Sequence, residues 1–167
     1  MKKFCIILCC TLMMQMLFAC NNRSENIKQP TNFYYNTKEV TYNSPNGIIQ
    51  PEIREGAELH GNLTAYLHSY LRGPVSHDLQ RIIPSDVYLV SCTSEDDLIE
   101  IVFSKQFSNL SGIDLICACS ALLLSVHDFT GIETISISAK DALLEDKEEF
   151  IFTMDDIVWV DTATIQE

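Results

Sequence analysis

The chain has 167 residues, of which 47% are hydrophobic, and a formal net charge of −12. This apolar fraction is enough for a folded core, and the length fits one domain, so a disordered chain is excluded. A strongly acidic surface repels nucleic-acid phosphates and anionic lipid headgroups. The composition therefore predicts no nucleic-acid partner and no membrane binding driven by charge.

The N-terminus has the pattern of a secretion signal. Lys2 and Lys3 form a short positive segment, residues 4–18 are almost entirely apolar, and the sequence turns polar at Asn21. A helix that crosses a bilayer needs about 20 apolar residues, so this stretch is short for a membrane span. The pattern predicts a signal peptide over residues 1–19, whose removal leaves about 147 residues with a net charge of about −14.

The residues that end this segment, Leu17, Phe18, Ala19 and Cys20, resemble the lipobox of bacterial lipoproteins. The resemblance implies a diacylglycerol thioether on the Cys20 sulfur, cleavage before this cysteine, and acyl chains such as palmitate. Two or more chains anchor a domain stably because each buried CH₂ contributes about 0.8 kcal/mol. We therefore expect lipidation at Cys20 and a place on the extracytoplasmic face of the cell membrane. The alternatives are an ordinary signal peptide and an uncleaved anchor with an inert thiol.

The first part of the mature chain predicts a tether and a β-hairpin. Residues 20–30 are polar and lack periodicity, which is typical of a tether, and aromatic and β-branched residues predict a strand over 31–40. The turn-forming residues at 43–47 predict a return strand over 48–54. Pro51 confines this return strand to the edge of a sheet, because proline has no N–H to donate.

Two segments have helical patterns of different kinds. Residues 57–71 place apolar side chains on one face, and Gly73 and Pro74 follow as stop signals. Residues 111–129 are apolar on nearly every side, but the apolar core is too short for a membrane span. We expect this second helix to lie between a sheet and another layer.

The remaining strands follow from β-branched and aromatic content. Strands are predicted over 86–92 and 98–104, joined by a polar loop at 93–97, and over 133–138. Residues 141–167 read as an acidic C-terminal extension that contains one or two short strands, around 150–152 and 157–160. The order predicts an α+β fold over residues 31–140, a two-layer sandwich of two helices on a small mixed sheet.

Three segments between residues 66 and 140 carry a family resemblance. They are the helix that ends at 70–74, the strand that closes at 100–107, and the apolar helix followed by 129–137. Together they resemble the GerMN domain of sporulation and spore-germination proteins, whose fold is similar to a ring-building motif of sporulation and secretion machinery. The family often carries two tandem copies, whereas this chain has one. The acidic stretch 145–149 also stands where the family pattern has a shorter, glycine-containing loop.

The reactive residue types lack the spacing of a catalytic or metal site. The sequence contains no His-x-x-x-His, no Cys-x-x-Cys, no phosphate-binding loop and no nucleophile elbow. The acidic runs at 95–97 and 155–156 lack the spacing of a calcium loop. The sequence therefore predicts no catalytic residue, no metal and no cofactor. Surface positions are expected for the histidines, and buried, apolar-like roles for the remaining thiols, at His60, His68, His77, His127, Cys92, Cys117 and Cys119.

These features together predict a non-enzymatic lipoprotein of the cell envelope that binds an envelope protein or a cell-wall component. A small α+β domain with a bare sheet edge is suited to adding a strand from a partner. Sporulation or spore germination is the setting that the resemblance implies. Two alternatives remain: a peptidoglycan-acting enzyme or an accessory to one, and a ligand-holding lipoprotein that serves a transporter.

Overall fold

The computed structural model describes residues 30–39, 48–55, 59 and 61–157. The predicted signal peptide, Cys20, most of the predicted tether and residues 158–167 lie outside the described residues. The described strands are β1 (Thr31–Thr37), β2 (Ile49–Arg54), β3 (Leu79–Gln80), β4 (Leu89–Glu95), β5 (Leu98–Phe103), β6 (Thr134–Ala139) and β7 (Glu149–Thr153). The two α-helices are α1 (Leu63–Leu71) and α2 (Gly112–Thr130), and short 3₁₀ helices occupy Lys105–Asn109 and Met154–Asp156.

The strands form two sheets. The first has the antiparallel order β2-β1-β3, and the second has the order β4-β5-β6-β7, in which only β5 and β6 run parallel. The predicted α+β class, with two helices on a mixed sheet, is confirmed. The division into two sheets arises because β1 pairs with β2 and β3, and none of these three pairs with β4 to β7.

Helix α2 lies against both sheets. It contacts β1 of the first sheet and β6 and β7 of the second, and nearly all of its residues from Leu115 to Val126 are buried. The helix is long and apolar enough to cross a membrane by length and composition alone, and more than half of its apolar stretch is buried inside the domain. The buried core helix of a domain can have the same length and composition as a membrane span. We therefore interpret α2 as the core helix that its all-round apolar pattern predicts.

The core follows the alternation of the central strands. Ile99, Ile101 and Phe103 of β5 and Ile135 and Ile137 of β6 are all almost fully buried, as expected for residues two apart on one face. Between the helices and the first sheet, three aromatic rings stack in a row. The centroid of Tyr66 lies 4.6 Å from that of Phe33 and 4.4 Å from that of Phe129.

Helix α1 begins later than its periodicity predicts. Gly61 adopts a left-handed φ of 68°, and the Asn62 side chain accepts a hydrogen bond of 3.0 Å from the Ala65 N–H. This cap satisfies one of the free N–H groups at a helix start, so the helix begins at Leu63 and not at Ala57. Its end is as predicted, because Gly73 follows with a φ of 83°.

The hairpin of β4 and β5 is longer, and its turn tighter, than predicted. Strand β4 begins at Leu89 and extends to Glu95, which leaves only Asp96 and Asp97 in the turn. Asp96 has a φ of 47°, a conformation that aspartate tolerates better than most residues. The 3₁₀ helix after β5, which buries Phe107, had no signal in the sequence pattern.

The acidic extension contributes a strand to the second sheet. β7 pairs antiparallel with β6 over its whole length, at the position of the strand predicted around residues 150–152. The turn before it places Glu145 and Asp146 at φ of 47° and 69°, where a glycine was expected. The Glu145 carboxylate accepts a 2.6 Å hydrogen bond from the Gly112 N–H and so lies at the positive end of α2.

Candidate interaction surface

A buried ion pair fixes β2 to the end of α1. The Arg54 Nε lies 2.6 Å from the Glu52 Oε1, and both side chains are largely buried. The other nitrogens of Arg54 donate to the carbonyl oxygens of Ser69, at 3.2 Å, and Gly73, at 2.7 Å, and to the Tyr35 hydroxyl, at 3.1 Å. Every nitrogen of the guanidinium thus has a partner, which is the condition under which a buried charge is tolerated.

The Glu52 carboxylate closes the same network on the other side. Its Oε2 accepts hydrogen bonds from the N–H groups of Val75, at 2.8 Å, and Ser76, at 2.7 Å. Burial raises the pKa of Glu52, but the bonds from Ser76, Arg54 and Val75 outweigh burial, and the net pKa is lowered. The contacts of both charged side chains are therefore structural, and they hold the first sheet against α1.

The inner edge of β1 is also closed, by side chains of the two helices. The Tyr34 N–H donates to the Ser125 Oγ at 2.8 Å. The Tyr66 hydroxyl lies 2.6 Å from the Asn32 carbonyl oxygen and 2.8 Å from the Ser125 carbonyl oxygen, between which it donates. This part of β1 therefore has no room for another strand.

A proline makes the outer edge of β2 a poor site for pairing with another strand. The Thr37 N–H donates to the Ile48 carbonyl at 2.8 Å, so these opposite residues form a hydrogen-bonded pair. Hydrogen-bonded and non-bonded pairs alternate in an antiparallel ladder, which makes Tyr34 and Pro51 a non-bonded pair. The Pro51 nitrogen thus faces the outer edge, where it offers no donor to an incoming strand. The edge position predicted from Pro51 is confirmed.

The outer edge of β4 has no proline. Its start is irregular, with a shift of register between Leu89 and Ser91, and α1 contacts the strand, but the pairing with β5 is regular from Ser91 to Glu95. Glu95 and Leu98 close a two-residue turn and must be a hydrogen-bonded pair, so alternation turns the N–H and C=O groups of Cys92 and Ser94 away from β5. Among the described residues, no backbone hydrogen bond joins this edge to another element. The strand contains neither proline nor lysine, and most of its residues are exposed. We define the β4 edge as residues 89–95.

The opposite edge of the second sheet is less suited to pairing. β7 has five residues against seven in β4, and it begins at Glu149. The Lys147 ammonium lies 4.9 Å from the centroid of the Phe150 ring at its start. Short length and charge are two devices by which proteins keep an edge from pairing. The β4 edge is therefore the best candidate for an interaction in the described part of the chain.

The histidines and cysteines do not converge on a site. His68 and His77 are exposed, His127 is half-buried in α2, and His60 lies outside the described residues. Within the described ranges, no group of three metal-binding side chains is arranged to hold an ion. The lipidation predicted at Cys20 also falls outside these ranges.

The three described thiols are free. Burial raises the pKa of Cys119 to about 12, with a smaller contribution from Glu145, and burial also raises the pKa of Cys92 and Cys117. Since the thiolate is the reactive form, these residues are poor nucleophiles at neutral pH. What the sequence did not single out is the β4 edge itself. The available signal was a seven-residue strand without the proline that marks β2.

No protein-family model matches the chain, and neither does any curated protein. Several solved structures match the chain. The first GerMN domain of the sporulation protein GerM from Bacillus subtilis is 17% identical, with a TM-score of 0.50 over 72% of this chain and 91% of that one. The described domain has a GerMN-like fold.

Two further structures are similar. The tandem GerMN domains of the same Bacillus subtilis protein match with a TM-score of 0.51 and 15% identity, over 73% of this chain and 42% of that chain. This chain therefore spans less than half of the tandem structure. A candidate lipoprotein from Clostridium perfringens is 21% identical with a TM-score of 0.49, over 78% of this chain and 89% of that chain.

Proposed function

We propose that this chain is a non-enzymatic lipoprotein, held by acyl chains on Cys20 at the extracytoplasmic face of the cell membrane. Its GerMN-like domain binds another envelope protein or a cell-wall component, in sporulation or spore germination. The observation that carries the binding role is the β4 edge, which no other described strand covers, whereas Pro51 protects the outer edge of β2. The similarity to GerM, a sporulation protein, supports the setting.

The use of polar side chains supports a binding role over catalysis. Glu52 and Arg54 are bonded to each other and to backbone groups, and the Tyr66 hydroxyl donates to backbone carbonyls. Catalytic groups usually combine a perturbed pKa with exposure to a cleft. Burial raises the pKa of Tyr66, so its hydroxyl stays protonated, and the same holds for the Cys119 thiol.

Metabolic labelling tests the anchor. The full chain, expressed in a bacterium that processes lipoproteins, is expected to incorporate labelled palmitate and to sediment with membranes. Cys20→Ala should lose both properties. Cys10→Ala, which changes another cysteine of the same segment, should keep both. Label that persists in Cys20→Ala would rule out the proposed attachment site.

Crosslinking in the intact envelope tests the binding role. The anchored chain should give a discrete crosslinked product that Cys20→Ala, released from the membrane, does not give. Solubilisation of purified peptidoglycan by the domain would contradict the proposal and support the enzyme alternative.

A further inference from the structure

We propose that the β4 edge accepts one strand from a protein whose pairing segment has a neutral core between lysine or arginine residues. The inference rests on the proposed function and adds the chemistry of the partner. It follows from the backbone groups that the edge presents and from the charges that surround it.

The edge offers backbone groups and some apolar surface. Cys92 and Ser94 direct their N–H and C=O groups outward, in the spacing that an added antiparallel or parallel strand requires. At the start of the strand, Tyr88 and Val90 are 59% and 39% exposed. A strand laid along this edge would cover both side chains and gain buried apolar area in addition to its backbone bonds.

The charges around the edge have one sign. Exposed acidic residues lie on either side of the strand, with Asp86 before it and Glu95, Asp96 and Asp97 at its end. On the outer sheet face, the Glu100 carboxylate accepts a hydrogen bond from the Thr93 hydroxyl at the middle of β4. The sequence contains no basic residue between Arg81 and Lys105.

Charge complementarity therefore selects the partner. A strand with basic residues at both ends would place them beside the acidic ends of β4, and oppositely charged cross-strand pairs are favourable. Positive charge would also speed the encounter with this surface at low salt.

A second copy of this chain is a poor occupant of the edge. If two β4 strands paired antiparallel, Asp86 of each copy would approach the acidic hairpin tip of the other at both ends. If they paired parallel, each acidic residue would face its own counterpart. Like charges directly opposite one another destabilise strand pairs.

Synthetic peptides provide the test. The probes have neutral cores of about seven residues that alternate threonine or serine with valine or isoleucine. Each core is made once with two lysines and once with two glutamates at both ends. Binding to the signal-free chain is measured by fluorescence anisotropy, and NMR shifts of the Cys92 and Ser94 amides locate it. We expect the lysine-flanked peptides to bind at least about tenfold more tightly and to shift these amides.

Two variants separate edge pairing from general attraction to an acidic protein. Ser94→Pro removes an outward N–H at an exposed position, as Pro51 does in β2, and should weaken the binding of the lysine-flanked peptides by about tenfold or more. Thr64→Ala changes an exposed side chain of α1, outside the β4 edge, and should bind these peptides like the original chain. The ladder amides of Thr93 and Glu95 report whether both variants are folded.

Three results would overturn the inference. They are equal binding of the two peptide series, lysine-peptide binding that Ser94→Pro leaves unchanged, and self-association of the chain that Ser94→Pro abolishes. The last result would assign the edge to a second copy. Palmitate labelling and envelope crosslinking of the Ser94→Pro chain distinguish a failure of this inference from a failure of the proposed function. If labelling and crosslinking persist while the peptide test fails, only this inference fails.

Discussion

The two halves of the described domain differ in charge and in how their edges end. Up to Pro84, which includes the first sheet and α1, four acidic residues balance four basic ones. From Ser85 to Ile157, which includes α2 and the second sheet, fifteen acidic residues face three basic ones. The net charge of the described residues therefore resides in the second half.

The two halves also differ in whether their sheet edges can accept another strand. In the first half, Pro51 blunts the outer edge of β2, while Ser125 and Tyr66 close the inner edge of β1. In the second half, Cys92 and Ser94 leave the β4 edge open. In the function we propose, the neutral half stabilises the domain and the acidic half binds the partner.

The largest expected effect is in the neutral half. Arg54→Ala should lower the free energy of unfolding by about 3–5 kcal/mol, because it leaves the Glu52 carboxylate buried without its partner. Arg72→Ala, at an exposed position just after α1, should change it by less than about 0.5 kcal/mol. Urea denaturation measures both. Equal losses would mean that the network does not support this half.

The Tyr66 hydroxyl provides a smaller effect at the junction of the helices and β1. Tyr66→Phe keeps the stacked ring but leaves the Asn32 carbonyl oxygen without the donor that the Tyr66 hydroxyl provides, so we expect a loss of about 1–3 kcal/mol. Tyr88→Phe, on the exposed surface of the acidic half, is the matched control and should be nearly neutral in urea denaturation.

The pH dependence of stability should reveal Glu52. Its pKa is lower in the folded chain than in the unfolded chain, so its contribution is fully present above the unfolded value of about 4.5. That contribution is lost as the pH falls through the folded pKa. The free energy of unfolding should therefore fall less on acidification in Glu52→Gln than in the original chain. Parallel pH profiles would contradict the assignment.

The smallest expected change in stability comes from opening the blunted edge. Pro51→Thr restores an outward N–H in β2 and should cost about 0.4–1 kcal/mol, chiefly through the greater freedom of the unfolded chain. Because the first half carries no net charge to keep copies apart, the variant should self-associate in sedimentation experiments at concentrations where the original chain is monomeric. A monomeric variant would show that Pro51 is not what protects this edge.

Local patterns predicted much of the fold. The alternation of Ile99, Ile101 and Phe103 predicted the inner face of β5, the all-round apolar run predicted α2, and Pro51 predicted an edge strand. Periodicity could not locate the start of α1, because the apolar pattern continues past the cap at Asn62.

The division into two sheets was not predictable from local patterns. It depends on partners distant in sequence, such as the two residues of β3 that pair with Asn36 and Thr37. The hydrogen bonds of Arg54 could not be predicted for the same reason, since Ser69 and Gly73 come close to Arg54 only in the folded chain. The open edge of β4 followed only from the register that fixes which amides of this strand face outward.

Amide hydrogen exchange in the unliganded chain tests the central claim most directly. If the β4 edge is open, the Cys92 and Ser94 amides should exchange at nearly the rate of an unstructured peptide, while the Thr93 amide between them is protected by its bond to β5. Equal and strong protection of all three amides would contradict the account, because it would show that the edge is already covered.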